Sequence, residues 1–229
     1  MKLLALGAHP DDVEIYMLGT LLAAKARGDD VAVAIATDGS KGGKGDAAAL
    51  RDTRRRETTA GLKPLGVKPH FLDFVDGELV ADARVIAAIK ALIASEQPDL
   101  ILTHAPNDYH GDHRALSDAV RIASSFSAPV AWADNLQGVG LAPTHYVDVT
   151  AHFETKAAAI RAHASQDPDR LVALAESLNS FRASQSNQPP DSYAEAFRFE
   201  PQFPFVDIRD LFPPAPPVGA VRDRRSAED

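Results

Sequence analysis

The stretch Leu3-Leu4-Ala5-Leu6-Gly7-Ala8 stands directly before the turn His9-Pro10-Asp11-Asp12. A continuous apolar run that ends in a turn is typical of a strand buried on both faces of a sheet. A helical pattern then extends from Asp12 to Arg27, and Gly28 supplies a common stop signal. The chain therefore opens with a strand, a short polar turn and a helix.

The same alternation continues through the first half of the chain. Further apolar runs predict strands at residues 31–36, 70–74 and 100–103. Helical patterns lie between and after them, at residues 47–65, 82–95 and 113–124. Strands that alternate with helices favour a parallel sheet. The sequence predicts an α/β fold with a Rossmann-like, mostly parallel, doubly wound sheet and helices on both faces.

The second half of the chain is less regular. Short strands are predicted near residues 130–132 and 146–149, and helices at 153–165 and 169–183. The run Pro213-Pro214-Ala215-Pro216-Pro217 cannot lie inside a helix or a central strand. We therefore expect a single α/β domain at residues 1–200, followed by a proline-rich C-terminal arm at 201–229 that packs on the body or on a neighbouring subunit.

Composition and charge narrow the classes of function. The chain has 229 residues, a formal net charge of −8 and no cysteine. The acidic balance argues against a nucleic-acid partner, which needs a basic surface, and no apolar run is long enough to span a bilayer. Without cysteine, a bound metal must be held by His, Asp or Glu. We expect a cytoplasmic protein with a small-molecule substrate, and a homo-oligomer stays open.

Two clusters of potential metal ligands follow two of the predicted strands. His9 and Asp12 come after the first strand, and His110-Gly111-Asp112-His113 comes soon after the strand at 100–103. The carboxyl ends of parallel strands lie at one edge of the sheet, where ligands of such folds bind. Two histidines and one aspartate can hold a divalent ion and leave a position for water. Asp11 is then free to act as a base, which is the composition of a metal-dependent hydrolase site.

Each cluster also has a simpler interpretation. Asp11 or Asp12 could cap the following helix, with His9 as an ordinary loop histidine. Asp112 could cap the second helix while the neighbouring histidines face solvent, or it could hold one histidine ring in a fixed orientation. If that helix starts near Asp112, only one of the two histidines needs to face a metal. The metal hypothesis therefore depends on the two clusters meeting in space.

The stretches that contain these clusters resemble a known family. Ala8-His9-Pro10-Asp11-Asp12-Val13-Glu14 and Asn107-Asp108-Tyr109-His110-Gly111-Asp112-His113 are similar to the two signatures of the zinc-dependent N-acetylglucosaminyl deacetylases related to LmbE and PIG-L. Weaker similarities lie at residues 54–57, 65–66, 76–79, 163–166 and 193–197. The resemblance covers most of residues 2–198. It implies a hydrolase that removes acetyl from an N-acetylglucosamine-type sugar or conjugate.

The resemblance also implies which residues would hold the metal and activate water. His9, Asp12 and His113 would ligate Zn²⁺. Asp11 would be the general base that takes a proton from the attacking water, a role typically worth about 10² to 10⁴-fold in rate.

Further residues would act on the substrate. By the same resemblance, His110, held by Asp112, would stabilise the oxyanion or protonate the departing amine. As an imidazolium, His110 would act as an oxyanion donor does. Arg54 and Asp76 would contact sugar hydroxyls or the aglycone, and Tyr193 would close over the site.

The sequence departs from the family pattern on the helix behind the first cluster. The family usually has glycines at the positions where Tyr16 and Leu18 stand here. Both side chains could simply fill the core, since apolar residues at such a helix start usually pack. Otherwise Tyr16 narrows the pocket and changes which substrates fit.

Two other classes of function stay open. Two histidines and one carboxylate also suit Fe²⁺, so a non-haem iron oxygenase is an alternative, and the metal could be Zn²⁺, Fe²⁺ or another divalent ion. A non-catalytic sugar-binding module is the second alternative. The glycine-rich stretch at 38–45 lacks the spacing of a Walker A motif and is interpreted as a flexible rim of the site. His104 is interpreted as structural, and His163 either braces the loops or bonds a helix-end carbonyl.

Overall fold

The computed structural model describes residues 1–217. Its strands are Lys2–Gly7 (β1), Asp30–Thr37 (β2), His70–Phe74 (β3), Leu100–His104 (β4), Val130–Ala133 (β5), His145–Asp148 (β6) and Ala194–Phe199 (β7). Its α-helices are Asp12–Tyr16 (α1), Leu18–Arg27 (α2), Ala47–Gly61 (α3), Ala83–Glu96 (α4), Gly111–Ala123 (α5), Phe153–Arg161 (α6) and Pro168–Gln185 (α7).

These strands form one mixed sheet with the order β3-β2-β1-β4-β5-β7-β6. The first five strands of that order pair in parallel. β7 runs antiparallel to both of its neighbours, β5 and β6. The predicted fold class, a mostly parallel sheet in a Rossmann-like arrangement, is confirmed.

Both faces of the sheet are covered, which explains why the strands are apolar throughout. Leu3 and Ala5 of β1 belong to one core cluster, together with side chains of α2, α6 and α7. Leu4 and Leu6 belong to the other cluster, with side chains of α4 and α5. Successive strand residues point to opposite faces, so a strand between two helical layers needs apolar residues at every position.

The order of the strands places a crevice beside β1. The chain leaves β1 for β2 on one side, whereas β4 lies on the other side of β1. The loops that follow β1 and β4 therefore diverge at the carboxyl edge of the sheet, and such a switch point is where open α/β sheets bind ligands. Both predicted ligand clusters follow these two strands.

Two elements differ from the expectation. The helix predicted at 12–27 is broken at Met17, whose φ of −136° separates α1 from α2. The strand β7 was not predicted; it contains Glu195, a residue type that is depleted in strands. Glu195 is nevertheless buried there.

The described part of the predicted C-terminal arm packs on the body. Ile208 and Phe212 are buried in the same core cluster as β7. Arg27 of α2 donates hydrogen bonds to the carbonyl oxygens of Leu211, at 2.9 Å, and Phe212. The rest of the arm, residues 218–229, lies outside the described residues. Within residues 1–217, no helix combines the length and the apolar character needed to cross a membrane.

Candidate metal centre and active site

The loop after β1 is folded by its own side chains. The Asp12 carboxylate accepts a hydrogen bond from the His9 backbone N–H at 2.6 Å. The Asp12 N–H in turn donates to the His9 carbonyl oxygen at 3.2 Å. These two bonds close the turn and bring both side chains to the same spot at the start of α1.

The two predicted clusters meet at this spot. His9 Nδ1 lies 3.3 Å from Asp12 Oδ2, His113 Nε2 lies 3.4 Å from Asp12 Oδ2, and His113 Nε2 lies 3.3 Å from His9 Nδ1. A tetrahedral zinc ion with ligands at about 2.0–2.1 Å requires ligand atoms about 3.3 Å apart. The three donor atoms therefore have the spacing that a tetrahedral divalent ion needs.

A buried carboxylate lies within ion-pair distance of the outer nitrogen of each of these histidines. His9 Nε2 lies 3.1 Å from Asp112 Oδ2 and 3.3 Å from Asp76 Oδ1. His113 Nδ1 lies 3.1 Å from Asp108 Oδ2. Metal-ligating histidines almost always have such a partner, which fixes the tautomer and the ring orientation. Each ring thus offers its other nitrogen to the shared space.

The electrostatics also indicate a cation site. Burial by itself lowers the pKa of His9, but Asp12 and the carboxylates at its outer nitrogen raise that pKa to about 12. Burial likewise lowers the pKa of His113, while Asp12 and Asp108 raise it to about 9. Both rings favour the protonated form because the surrounding carboxylates are negatively charged. A divalent ion would balance that negative charge in place of the protons.

Several overlapping sets of side chains could hold such an ion. Besides His9, Asp12 and His113, these sets are His9 with His110 and His113, Asp12 with His104 and His113, and His9 with Asp76 and Asp112. The atoms of each set lie within 4.8 Å of one another. The donor set thus consists of imidazoles and carboxylates, which suits zinc and several other divalent metals.

Asp11 lies beside these ligands in an unusual backbone conformation. Its φ is 122°, which a residue with a side chain rarely adopts and which costs roughly 1–3 kcal/mol. Arg54 holds the loop by donating to Asp11 Oδ2 at 3.0 Å, to the Pro10 carbonyl at 2.6 Å and to the Gly39 carbonyl at 3.0 Å. Burial raises the pKa of Asp11 to about 6, and Arg54 opposes that rise.

His110 and Asp112 are arranged differently from the expectation. His110 caps α5, and its Nδ1 accepts the Asp112 backbone N–H at 3.2 Å, so a neutral ring carries its proton on Nε2. The Asp112 carboxylate accepts from Gly77 N at 2.7 Å and contacts His9. Asp112 therefore orients His9, and it reaches His110 through its backbone rather than through its carboxylate.

A pocket of about 410 Å³ opens onto this cluster. Seven of the predicted site residues line it: His9, Asp11, Asp12, Arg54, Asp76, His110 and His113. Lys41 and Gly42 of the glycine-rich stretch also lie at its edge, and the Lys41 N–H donates to Asp76 at 2.9 Å.

Three residues that were predicted to contact substrate have other partners in this structure. Arg54 is almost wholly buried, with hydrogen bonds to Asp11 and the two loop carbonyls. Asp76 also contacts His9. Tyr193 is not among the pocket-lining residues, because its ring stacks on Phe153 with centroids 3.8 Å apart. The expected closure of Tyr193 over the site is therefore not supported.

His104 belongs to the site although it was interpreted as structural. Its Nε2 accepts the Ala8 backbone N–H at 3.1 Å and lies 3.0 Å from Asp12 Oδ2. Its ring stacks on His113 with centroids 3.7 Å apart. His104 ends β4 at the same edge of the sheet as both motifs, and this position was the signal that could have identified it.

One further buried contact was not predicted from the sequence, and the role of a residue in a second contact was left undecided. Asp108, which holds His113, was interpreted as a possible turn residue although it lies inside the second motif. Glu14 of the first motif lies 2.9 Å from His163 Nε2, and both side chains are fully buried. This pair joins α1 to the segment after α6, which is the bracing role considered for His163.

Comparison with known proteins identifies the family. The family model described as PIG-L, GlcNAc-PI de-N-acetylase, matches residues 4–124. A diacetylchitobiose deacetylase of Thermococcus kodakarensis is 33% identical over 87% of this chain and 83% of its own. The chain belongs to the PIG-L family, which confirms the resemblance to LmbE and PIG-L proteins.

Solved structures support the same fold. The N,N'-diacetylchitobiose deacetylase of Pyrococcus horikoshii aligns with a TM-score of 0.77 at 26% identity, covering 87% of this chain and 84% of that one. A 4-carboxy-2-hydroxymuconate hydratase of Pseudomonas putida also gives a TM-score of 0.77, at 21% identity over 86% of this chain and 95% of its own. The second likeness concerns the fold alone, so the chemistry must be argued from the site.

Proposed function

We propose that this protein is a zinc-dependent hydrolase that removes the acetyl group from an N-acetylglucosamine-type sugar or conjugate. The observation that carries this proposal is the 3.3–3.4 Å spacing of donor atoms from His9, Asp12 and His113, with the Asp11 carboxylate beside them. The substrate class is supported by the family, described as GlcNAc-PI de-N-acetylase, and by the relatives that act on diacetylchitobiose.

Asp11 is suited to move the proton in this reaction. A zinc ion bound at this centre would polarise the acetyl carbonyl and lower the pKa of water. The Asp11 carboxylate takes a proton from the water as the new C–O bond forms at the carbonyl carbon. Asp11 then returns that proton to the amide nitrogen as the C–N bond breaks, which releases the free amine and acetic acid, and the acid loses its remaining proton to solvent. Arg54 keeps the carboxylate oriented through its 3.0 Å bond.

His110 is suited to stabilise the charge that develops on the carbonyl oxygen. Its Nδ1 is occupied by the Asp112 N–H, so the neutral ring donates from Nε2. Preorganised donors of this kind contribute through electrostatic stabilisation of the transition state. The proposed role of His110 is therefore that of a neutral hydrogen-bond donor, in place of the imidazolium expected from the sequence.

The first test compares metal content with amine release. The purified protein is stripped with a chelator, reloaded with Zn²⁺ and incubated with N-acetylglucosamine, N,N'-diacetylchitobiose and N-acetylglucosaminyl-inositol. We expect the free amine from at least one of them. His113→Ala should lose most of the bound zinc by elemental analysis, because two ligands hold an ion poorly.

His70→Ala is the matched control, since His70 is an exposed histidine on β3. It should keep both its zinc and its turnover. Wild-type zinc content in His113→Ala would contradict the ligand assignment. A zinc-loaded protein that binds these sugars without releasing amine would instead support the sugar-binding alternative.

A further inference from the structure

The pocket presents two kinds of surface to a ligand. Hydrogen-bonding groups come from Lys41, Asp76 and Gln166, and Asp76 lies at the outer nitrogen of His9. Apolar and aromatic side chains form a second group: Ile15, Tyr16, Tyr109, Leu136 and Leu171. Asp76 of the first group therefore adjoins His9, whereas Tyr16 of the second group adjoins His113.

Tyr16 is held in a fixed position in this second group. Its ring meets His104 edge-on at 5.4 Å and His113 edge-on at 5.9 Å, measured between centroids. Tyr109 lines the same pocket. Leu136 packs against the same core cluster as Tyr16. The Tyr16 ring therefore forms a rigid wall of the pocket beside His113, a predicted metal ligand.

An N-acylated sugar matches this division of the pocket. Its hydroxyl groups need hydrogen-bond partners, because a buried polar group without a partner costs free energy. Its acyl chain is apolar and gains by contacting apolar surface. The sugar hydroxyls thus fit the polar group near His9, and the acyl chain fits the wall that starts at Tyr16.

We propose that Tyr16 sets the upper size limit of the acyl group, so that acetyl is accepted and longer chains are excluded. This inference rests on the proposed hydrolase function. The tyrosine ring adds a limit on the acyl chain that a small side chain at this position would not impose.

The first experiment measures turnover of N-acetyl, N-propionyl, N-butyryl and N-hexanoyl glucosamine. For the wild type we expect kcat/KM to fall at least about tenfold for the first added methylene, the size of discrimination that such a pocket can give. Tyr16→Ala should bring the butyryl and acetyl values within about tenfold of each other. Tyr16→Phe keeps the ring, so it should keep the wild-type profile. Zinc content is measured in every variant.

The second experiment does not depend on turnover. Binding of acetohydroxamate, butanohydroxamate and hexanohydroxamate to the zinc-loaded protein is measured by calorimetry. The wild type should bind the acetyl compound more tightly than the longer ones, and Tyr16→Ala should reverse or abolish that order. Tyr109→Ala removes a half-exposed aromatic side chain that lines the same pocket and opens no core cavity, so it should relax the order in the same direction to a smaller extent.

The outcomes separate this inference from the proposed function. If no N-acyl sugar is hydrolysed, the function fails, and the hydroxamate series still reports the acyl space. If sugars are hydrolysed but Tyr16→Ala and Tyr109→Ala keep the wild-type profiles in both experiments, the size limit lies elsewhere and the inference is overturned. It is equally overturned if Tyr16→Phe relaxes the profile as much as Tyr16→Ala does.

Discussion

Two clusters of buried charge in this protein differ in how their charge is balanced. In the first, Lys156 Nζ donates to Glu195 Oε1 at 2.7 Å and to Asn179 Oδ1 at 2.8 Å. Glu195 also accepts the backbone N–H groups of Gly19 and Thr20 at 2.9 and 2.8 Å. One cation and one anion thus neutralise each other, and the cluster joins β7 and α6 to the start of α2.

The second cluster, at the candidate metal centre, has a surplus of carboxylates. Its buried acids are Asp11, Asp12, Asp76, Asp108 and Asp112. Arg54 provides one permanent positive charge, which it directs to Asp11. The surplus is what raises the pKa of both His9 and His113. A buried ion pair whose charges cancel stabilises the fold. A buried cluster with excess negative charge and converging donor atoms is instead a candidate site for a cation.

The largest expected effect is a loss of turnover at the second cluster without a loss of bound metal. Asp11→Asn should lower kcat by roughly 10² to 10⁴-fold, because the amide cannot take a proton from water. Asparagine has the same shape and is enriched among residues with positive φ, so the turn should persist. Turnover is measured by amine release and zinc by elemental analysis. Turnover close to that of the wild type would remove Asp11 from the role of base.

The next largest effect concerns the first cluster, in which the charges of Lys156 and Glu195 cancel. Lys156→Met should reduce the free energy of unfolding by about 3–5 kcal/mol, because it leaves the Glu195 carboxylate buried without its cation. Urea denaturation measures this change, and kcat per folded molecule should stay at the wild-type level. Lys90→Met, on the exposed side of α4, is the control and should unfold like the wild type. Equal stability of the two variants would show that the Lys156 pair does not stabilise the fold.

The smallest expected effect concerns the carboxylates that lie at the outer nitrogens of His9 and His113. Asp108→Asn should weaken zinc affinity about 10- to 100-fold, because His113 loses the charged partner at its outer nitrogen. A chelator competition titration measures the affinity. Asp118→Asn changes a half-exposed aspartate on α5, the helix that carries His113, and should leave the affinity unchanged. An unchanged affinity in Asp108→Asn would mean that the carboxylate does not support the metal.

The alternation of elements and the candidate ligand set could be predicted because they depend on local signals. The apolar strands, their flanking turns and the two short motifs each occupy a few consecutive residues. The partners of the ligands could not be predicted, since these contacts join distant parts of the chain. Asp76 contacts His9 across 67 residues, and Arg54 reaches Asp11 across 43.

The sequence by itself determined the α/β class, the ligands His9, Asp12 and His113 as candidates, and the family. These follow from hydrophobic periodicity and from residue types at fixed short spacing. The tertiary structure decided that Asp112 orients His9, that His104 belongs to the site, that Tyr193 packs away from the pocket and that Tyr16 forms its wall. The physical reason is that a side chain's role depends on which groups surround it, and the folding of the sheet brings those groups together from distant loops.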